Sequence, residues 1–266
     1  DGTLVQKADH KRYGALAQLS ELNGKTTITI KSLAVKHKAF DKVRLFYSTR
    51  KKGLKATLTA GDLTYEAEDE ADKKYGMMEW DLPNKISTFK IRLEGDAELY
   101  GFCLTGDKGV AVTNIGLRGS SGTFFTRIDA KSFKYMHNAL NTRLVIMEFG
   151  GNATPYLSTD KKIEGYYSSM EAQIKFVKQQ LPKAKIILIG PADMAETVDG
   201  KLQTYRNLEK TVDLMRRVAK DNGVAFWNMY GVMGGKNSII SWVSNKPALA
   251  ASDYIHFSRK GAERIA

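Results

Sequence analysis

The chain has 266 residues, of which 42% are hydrophobic, so it is long enough for one large domain or two smaller domains with buried cores. Its longest apolar runs, such as 186–189, have the length of a strand, which excludes a transmembrane helix. Its single cysteine, Cys103, excludes an internal disulfide and leaves the cellular compartment open.

The net charge of +12 is uneven, with +3 in residues 1–110 and +9 in residues 111–266. A basic half favours an anionic polymer as partner, or is simply a basic soluble surface. No cluster of Lys and Arg alternates with aromatic residues, and there is no zinc-finger spacing, so nucleic acid is not predicted as a partner.

Residues 25–105 contain short segments in which apolar and polar residues alternate, separated by Gly, Asp and Asn. This pattern is typical of a half-buried antiparallel sheet. We predict five strands, at 26–30, 43–47, 54–58, 89–93 and 99–103. So many strands within about 80 residues indicate a β-sandwich or jelly roll.

After Gly109 the pattern changes to strands alternating with helices. The predicted strands lie at 110–113, 144–149, 185–189 and 224–227, and the predicted helices at 129–141, 163–181, 203–221 and from Ser258 onward. Strands with nearly continuous apolar runs between helices predict a parallel sheet that is covered on both faces. The fold class is therefore α/β, preceded by an antiparallel β domain.

Polar and glycine-rich segments follow the predicted parallel strands, at 114–122, 150–152, 191–194 and 228–237. Ligands and catalytic groups collect in the loops at the carboxyl ends of parallel strands. We therefore expect these loops to open on one edge of the sheet.

Asp253 stands three residues before His256, just ahead of the last helix. A carboxylate in this position can hold an imidazole in one tautomer and stabilise the imidazolium that forms when the histidine accepts a proton. The spacing is common by chance, so an ordinary surface histidine is the alternative.

Two loops carry candidate donors for an oxyanion. The Asn152 amide ends the Gly150-Gly151-Asn152 turn, and the 114–122 loop can present bare backbone N–H groups, although both segments also fit simple turns. The second loop is neither a P-loop nor a dinucleotide-binding motif. The histidines and acidic residues show no metal-ligand spacing, so no metal site is predicted.

These blocks together, Asn-x-Gly-x-x-Gly at 114–119, Gly-x-Asn at 150–152 and Asp-x-x-His at 253–256, resemble blocks two, three and five of the SGNH/GDSL hydrolase superfamily. The resemblance covers residues 109–266 and implies a three-layer domain with a parallel sheet. It also implies that the Gly119 N–H and Asn152 form the oxyanion hole, that Asp253 and His256 belong to a catalytic triad, and that no cofactor is needed.

The Gly-Asp-Ser block that carries the family's nucleophilic serine is missing. Gly-Asp at 61–62 leads to Leu63, and Gly-Asp at 106–107 leads to Lys108. Ser120 and Ser121 lie on a loop that the family uses for a backbone donor, and Thr123 stands where a Gly-x-Ser-x-Gly elbow needs its second glycine.

The chain is more similar to two-domain, extracytoplasmic polysaccharide O-acetylesterases and acetyltransferases, including peptidoglycan-type members, in which a β-sandwich is inserted between blocks one and two. This resemblance implies that residues 1–108 are a carbohydrate-binding-like insert, that 109–266 are the hydrolase domain, and that the serine lies upstream of residue 1. Residues expected to line the substrate pocket are Ser120, Asp193, Met194, Trp242 and Tyr254, although an aromatic residue is more often part of the core.

We therefore expect an SGNH-type serine esterase that removes or transfers O-acyl groups, with O-acetyl as the expected case, on an extracytoplasmic polysaccharide or peptidoglycan-like substrate. The alternative is a carbohydrate-binding or scaffolding protein with an inactive hydrolase domain, which also fits a chain without a nucleophile. Nothing in the sequence indicates an oligomeric state.

Overall fold

The computed structural model describes residues 2–4, 10–14, 17–32, 39–106 and 108–266. Its contacts divide the chain into two units. The first unit contains Asp1–Gly116 and Arg127–Leu140, and the second contains Leu117–Thr126 and Asn141–Ala266. The division into domains 1–108 and 109–266 stays a prediction from the sequence.

The first unit contains a six-stranded antiparallel sheet, as the alternating pattern predicts. Its strands are β1 (Gly2–Leu4), β2 (Gln18–Lys31), β3 (Phe40–Ala60), β4 (Leu63–Asp69), β5 (Gly76–Ile86) and β6 (Thr88–Thr105). Their order is β1-β2-β6-β3-β4, with β5 also paired to β3. One face is buried, with a core that includes Leu45, Leu58, Ile91 and Leu93, each 0% exposed.

Strands β3 and β6 are each one long strand where the sequence predicts two. The glycines that suggested turns, Gly53 and Gly95, instead lie where the two strands approach each other closely. A Cβ on Gly95 would be 2.1 Å from the carbonyl oxygen of Gly53, and the register of β3 on β6 shifts between Thr49 and Leu54. These glycines therefore mark an irregularity within a continuous sheet.

Helix α1 (Ala130–Ala139) also belongs to the first unit and confirms the helix predicted at 129–141. Asp129 caps it by accepting a hydrogen bond from the Ser132 N–H at 2.8 Å. The Tyr75 hydroxyl donates to the same carboxylate at 3.1 Å, which ties the helix to the segment before β5.

The second unit contains a parallel sheet with helices and one hairpin. Its strands are β7 (Leu144–Glu148), β8 (Lys185–Ile189), β9 (Ala195–Val198), β10 (Lys201–Thr204) and β11 (Ala225–Trp227). Its helices are α2 (Asp160–Gln180), α3 (Leu208–Asp221), α4 (Met229–Met233), α5 (Ser238–Ser244) and α6 (Arg259–Ile265). None of the helices in the described ranges is both long and apolar enough to cross a bilayer.

Strands β7, β8 and β11 form the parallel sheet in the order β11-β8-β7, which confirms three of the four predicted parallel strands. The helix predicted at 203–221 begins later, at Leu208, because residues 201–204 form β10. Helix α6 begins after Ser258, whose hydroxyl accepts a hydrogen bond from the Gly261 N–H at 3.1 Å.

The strand predicted at 110–113 is wrong. This segment has no regular structure, and Val110 and Val112 are 92% and 89% exposed. β-Branched residues favour an extended backbone, but a strand also needs a neighbour for its N–H and C=O groups, and no described segment pairs with this one.

The parallel sheet is not covered on both faces at β7, contrary to prediction. Met147 is 1% exposed, but Leu144 and Ile146 on the other face are 48% and 55% exposed. Among the described strands β7 pairs only with β8, so one of its edges is also open. Strand β7 therefore has apolar side chains that no neighbouring element among the described residues buries.

Candidate active site

Asp253 and His256 form a tight hydrogen-bonded turn before α6. One carboxylate oxygen, Oδ1, accepts from the backbone N–H groups of Ile255 at 2.9 Å and His256 at 3.0 Å. The other, Oδ2, lies 2.7 Å from His256 Nδ1. The three-residue spacing thus lets one aspartate fix both the backbone and the ring, as the sequence predicts for this pair.

The hydrogen bond to His256, together with those from the two backbone N–H groups, lowers the pKa of Asp253 to about 2. An ionised carboxylate can only accept hydrogen bonds, so the ring must donate through Nδ1. In the neutral imidazole this leaves Nε2 with a free lone pair. The His256 side chain is 77% exposed, so Nε2 is accessible to a proton donor.

Backbone hydrogen bonds hold this loop beside the carboxyl end of the parallel sheet. The Tyr254 carbonyl accepts from the Ala195 N–H at 3.0 Å, and the His256 carbonyl accepts from the Ala251 N–H at 2.8 Å. Tyr254 also packs on the apolar cluster around Met229 and Trp242, as do Ile189 and Trp227, the last residues of β8 and β11. The Asp253–His256 turn and the ends of those two strands therefore pack on the same cluster.

The Asn152 amide reaches the loop that contains Gly119. Asn152 Nδ2 donates to the Ser120 carbonyl at 3.2 Å, which uses one of its two hydrogens and leaves the other for an acceptor outside the protein. Gly119 has a φ of +75°, and a Cβ built there would meet nothing within 4 Å, so the space beside its Cα is open.

Two close contacts explain why glycines flank these donors. A Cβ on Gly122 would lie 2.5 Å from the Phe149 ring, and one on Gly150 would lie 2.7 Å from Met215 Sδ. Both glycines also have positive φ, at +86° and +105°. Gly122 lets the loop that contains Gly119 pack against Phe149 at the end of β7, and Gly150 lets the chain pass close to Met215 on α3.

No serine lies within hydrogen-bonding distance of the His256 ring in the described ranges, where Asp253 is its partner. The Ser120 hydroxyl instead accepts from the Gly122 N–H at 3.1 Å. The Ser121 carbonyl accepts from the Tyr166 hydroxyl at 2.8 Å, which ties the same loop to α2. Both serines therefore take part in the structure of their loop.

Three residues expected to line the pocket are buried instead. Asp193 is 0% exposed and accepts from the Thr204 hydroxyl at 2.8 Å and the Ile239 N–H at 2.9 Å, which joins β10 to the start of α5. Burial raises the pKa of Asp193. Met194 is 5% exposed and Trp242 is 7% exposed, with its indole N–H donating to the Met233 carbonyl. Of the predicted lining residues, Ser120 and Tyr254 stay partly accessible.

The β9–β10 hairpin was not predicted from the sequence, nor was the pocket beside it, a cavity of about 510 Å³ between the hairpin, the start of α3 and the loop before α5. The signal was present, because Asp199-Gly200 is a hairpin turn sequence, and both residues have positive φ.

The structure thus contains an Asp–His pair, a side-chain amide donor that follows β7, and a glycine-rich loop that this amide contacts, a set of groups suited to acyl transfer. A model of the GDSL-like lipase/acylhydrolase family matches residues 94–264. The chain belongs to this family, which makes it a carboxylic ester hydrolase and confirms the resemblance seen in its sequence.

The fold of the chain is similar to that of a peptidoglycan O-acetylesterase, with a TM-score of 0.74 and 20% identity over 100% of this chain and 73% of that one. Two weaker similarities are to the acetyl xylan esterase AlAXEase (TM-score 0.37, 17% identity, 50% of this chain and 71% of that one) and to Axe2, an acetylxylan esterase from Geobacillus stearothermophilus (TM-score 0.38, 16% identity, 55% and 64%). No curated protein matches the chain.

Proposed function

We propose that this protein is a serine esterase that removes O-acetyl groups from an extracytoplasmic glycan. The observation that carries the proposal is the 2.7 Å contact between His256 Nδ1 and an ionised Asp253, with the rest of the ring open to solvent. An imidazole that is oriented by a carboxylate and has an accessible Nε2 can act as the general base for a nucleophile.

The first step forms an acetyl-enzyme. The serine oxygen attacks the carbonyl carbon of the acetyl ester while His256 Nε2 takes the hydroxyl proton. The imidazolium that forms is stabilised by Asp253, which stays ionised because its pKa is about 2. The tetrahedral intermediate then collapses, and the sugar oxygen leaves with the proton from His256.

The negative charge of the intermediate develops on the former carbonyl oxygen. The Gly119 N–H and the second hydrogen of Asn152 Nδ2 are the donors for this oxyanion. The hydrogen bond from Asn152 to the Ser120 carbonyl holds the amide in place before substrate arrives, so little reorganisation is needed during the reaction.

The second step regenerates the enzyme. Water gives a proton to His256 and attacks the acetyl-enzyme, which releases acetate and returns the proton to the serine oxygen. If the hydroxyl of another sugar takes the place of water, the same residues transfer the acetyl group. Hydrolysis is the proposed reaction because the Asp253–His256 turn is widely open to solvent.

The nucleophilic serine is proposed to lie on a segment that precedes residue 1. In the described residues β7 has an unpaired edge, which supports a further strand beside it, and its exposed Leu144 and Ile146 support an added segment that also packs on this face of the sheet. A strand added there would end at the same edge of the sheet as β7 and β8, close to Asn152. A serine directly after it would stand in the loop region that already holds the other candidate groups.

The substrate is proposed to be an acetylated polysaccharide, with a peptidoglycan-like polymer favoured over others. The support is the similar fold of a peptidoglycan O-acetylesterase along the whole chain. The antiparallel sheet of the first unit would then be a sandwich-like insert that positions the glycan. The same similarity supports an extracytoplasmic location.

The proposal is tested by labelling the protein, extended upstream of residue 1, with a serine-reactive fluorophosphonate and locating the label by mass spectrometry. We expect one labelled serine upstream, with labelling lost in His256→Ala and kept in Ser120→Ala and Ser121→Ala. A label on Ser120 or Ser121 would contradict the proposed position of the nucleophile.

The alternative, a glycan-binding protein with an inactive hydrolase unit, is favoured by one observation: within the described residues no hydroxyl lies beside the His256 ring. The same experiment separates the two functions. A folded, extended protein that takes up no label on any serine would support the binding protein over the esterase.

A further inference from the structure

The pocket beside the β9–β10 hairpin adjoins the Asp253–His256 turn. Ala195, the first residue of β9, donates its N–H to the Tyr254 carbonyl within that turn, and the next residue, Glu196, already lines the pocket. A substituent on a sugar bound at His256 therefore has the pocket within reach.

The hairpin presents one face to the pocket and the other to the core. Glu196 and Gln203 are direct cross-strand partners, so their side chains lie on the same face and both line the pocket. Leu202 alternates to the opposite face and packs against the apolar cluster around Met229 and Trp242. The core packing of Leu202 thus fixes the orientation of the polar face.

The other wall of the pocket is held by hydrogen bonds. The Thr204 N–H donates to Asn237 Oδ1 at 2.9 Å, and the Asn237 N–H donates to the Thr204 hydroxyl at 2.7 Å. Lys236, which precedes Asn237, lines the pocket opposite the hairpin.

Four charged side chains of both signs line this pocket, namely Glu196, Arg206, Glu209 and Lys236. The ion pairs of the second unit lie elsewhere, in and between α2 and α3, at Asp253–His256 and within α6. In the described ranges the two carboxylates bond instead to neutral donors, Glu196 to the Arg206 N–H at 2.9 Å and Glu209 to the Tyr230 hydroxyl at 3.1 Å.

Opposite charges that share a pocket without neutralising each other suit a ligand that carries both signs. A neutral polysaccharide has neither charge, and a simple acidic sugar has one. A short peptide with free carboxylate and ammonium groups has both.

We propose that this pocket binds a peptide substituent of the glycan, with peptide carboxylates at Lys236 and Arg206 and a peptide ammonium group at Glu196 and Glu209. This rests on the proposed glycan esterase function and narrows its substrate to a polymer whose sugars carry short peptides. The peptide then selects the sugar whose ester is presented to His256.

Binding measurements by calorimetry test this without need of a nucleophile. The probes are a disaccharide that carries a tetrapeptide with a free side-chain amine and free carboxylate, and the same disaccharide without the peptide. We expect the peptide to tighten binding about tenfold at low ionic strength, since several ionic contacts in an accessible pocket add up to an effect of this size. The gain should shrink as salt is added.

The double variant Arg206→Gln/Lys236→Gln should lose this gain and bind both probes alike. The matched control Arg143→Gln/Lys183→Gln removes the same charges from exposed positions outside the pocket and should keep it. The proposal would be overturned if the unmodified protein bound the two probes with equal affinity or bound neither of them. It would also be overturned if the double variant kept the full gain in affinity from the peptide.

The test of the peptide subsite and the test of the esterase function can fail independently of each other. Hydrolysis of a small neutral acetyl ester by the extended protein reports on His256 and the nucleophile but does not involve the pocket. Ester hydrolysis without any peptide effect contradicts only the peptide subsite, whereas a peptide effect without serine labelling contradicts only the esterase.

Discussion

His256 depends on Asp253 for both its orientation and its tautomer. In Asp253→Asn the amide can still contact Nδ1, but it can present its NH2 group there and so favour the wrong tautomer, and it cannot stabilise the imidazolium. We expect kcat for ester hydrolysis to fall by about 10³-fold or more, with KM little changed. Steady-state kinetics of the extended protein measure this, and a fall of less than about tenfold would contradict the role of Asp253.

The low pKa of Asp253 determines how pH acts on this pair. The pKa of Asp253 in the folded protein is lowered to about 2. Ionised Asp253 therefore stabilises the folded state at pH values above the ordinary aspartate pKa, and this stabilisation is lost as the pH falls through about 2. We therefore expect Asp253 to make no contribution to the acidic limb of kcat/KM above about pH 4. A plot of log kcat/KM against pH should therefore show no ionisation of Asp253 above about pH 4, and a slope of two on the acidic limb there would contradict the low pKa of Asp253.

Asn152 is expected to act on the transition state and not on substrate binding. Replacing it with Ala removes one oxyanion donor, for which a loss of about 10²–10³ in kcat is typical. Asn152→Asp is the sharper variant, because it places a carboxylate at the developing negative charge and should lose more. If Asn152→Ala raised KM and left kcat unchanged, the amide would be a substrate-binding group instead.

At the scale of elements, the glycines in β3 and β6 decide whether the antiparallel sheet can form. Gly95→Ala places a Cβ 2.1 Å from the Gly53 carbonyl, so the strands must separate. We expect a loss of about 2–4 kcal/mol in the free energy of unfolding, against about 1 kcal/mol for Gly61→Ala, which shares a positive φ but has open space around it. Hydrogen exchange of β3 and β6 measures the difference, and equal protection in the two variants would contradict it.

The sequence predicted the helices and strands whose hydrophobic periodicity is clear over their own length. The amphipathic helices α1, α2 and α3 and the strands β7, β8 and β11 follow from local patterns. Segment 110–113 has the composition of a strand but lacks a partner in the structure, and a propensity says nothing about partners. Gly53 and Gly95 were interpreted as turns because a turn and a close approach both require glycine.

For the whole molecule, the sequence predicted two contacts of the candidate site. Asp253 and His256 form a hydrogen-bonded pair because of their three-residue spacing, and Asn152, which follows β7, contacts the loop that contains Gly119. The convergence of these groups on one site stays a prediction. The burial of Asp193, Met194 and Trp242 could not be predicted, since it depends on how the β9–β10 hairpin, α3, α4 and α5 pack together.

A segment added upstream that pairs with the open edge of β7 and also packs on its exposed face would bury Ile146, which is 55% exposed. In residues 1–266 we expect Ile146→Asp to change the free energy of unfolding by less than about 0.5 kcal/mol, as is usual at exposed positions. In the protein extended upstream, the same variant should cost about 2 kcal/mol or more, because the carboxylate would be buried. Val232→Asp, at another exposed apolar position, should be mild in both. Equal effects of Ile146→Asp in the two proteins would contradict the added strand.

A crystal structure of the extended protein after reaction with a phosphonate ester tests directly whether His256, Asn152 and Gly119 serve one acyl-transfer site. We expect a covalent bond from an upstream serine to phosphorus, His256 Nε2 within about 3.2 Å of that serine's oxygen, and one phosphoryl oxygen about 2.7–3.1 Å from the Gly119 nitrogen and Asn152 Nδ2. A His256 ring more than about 10 Å from Asn152 would contradict it, because no small acyl group could contact both.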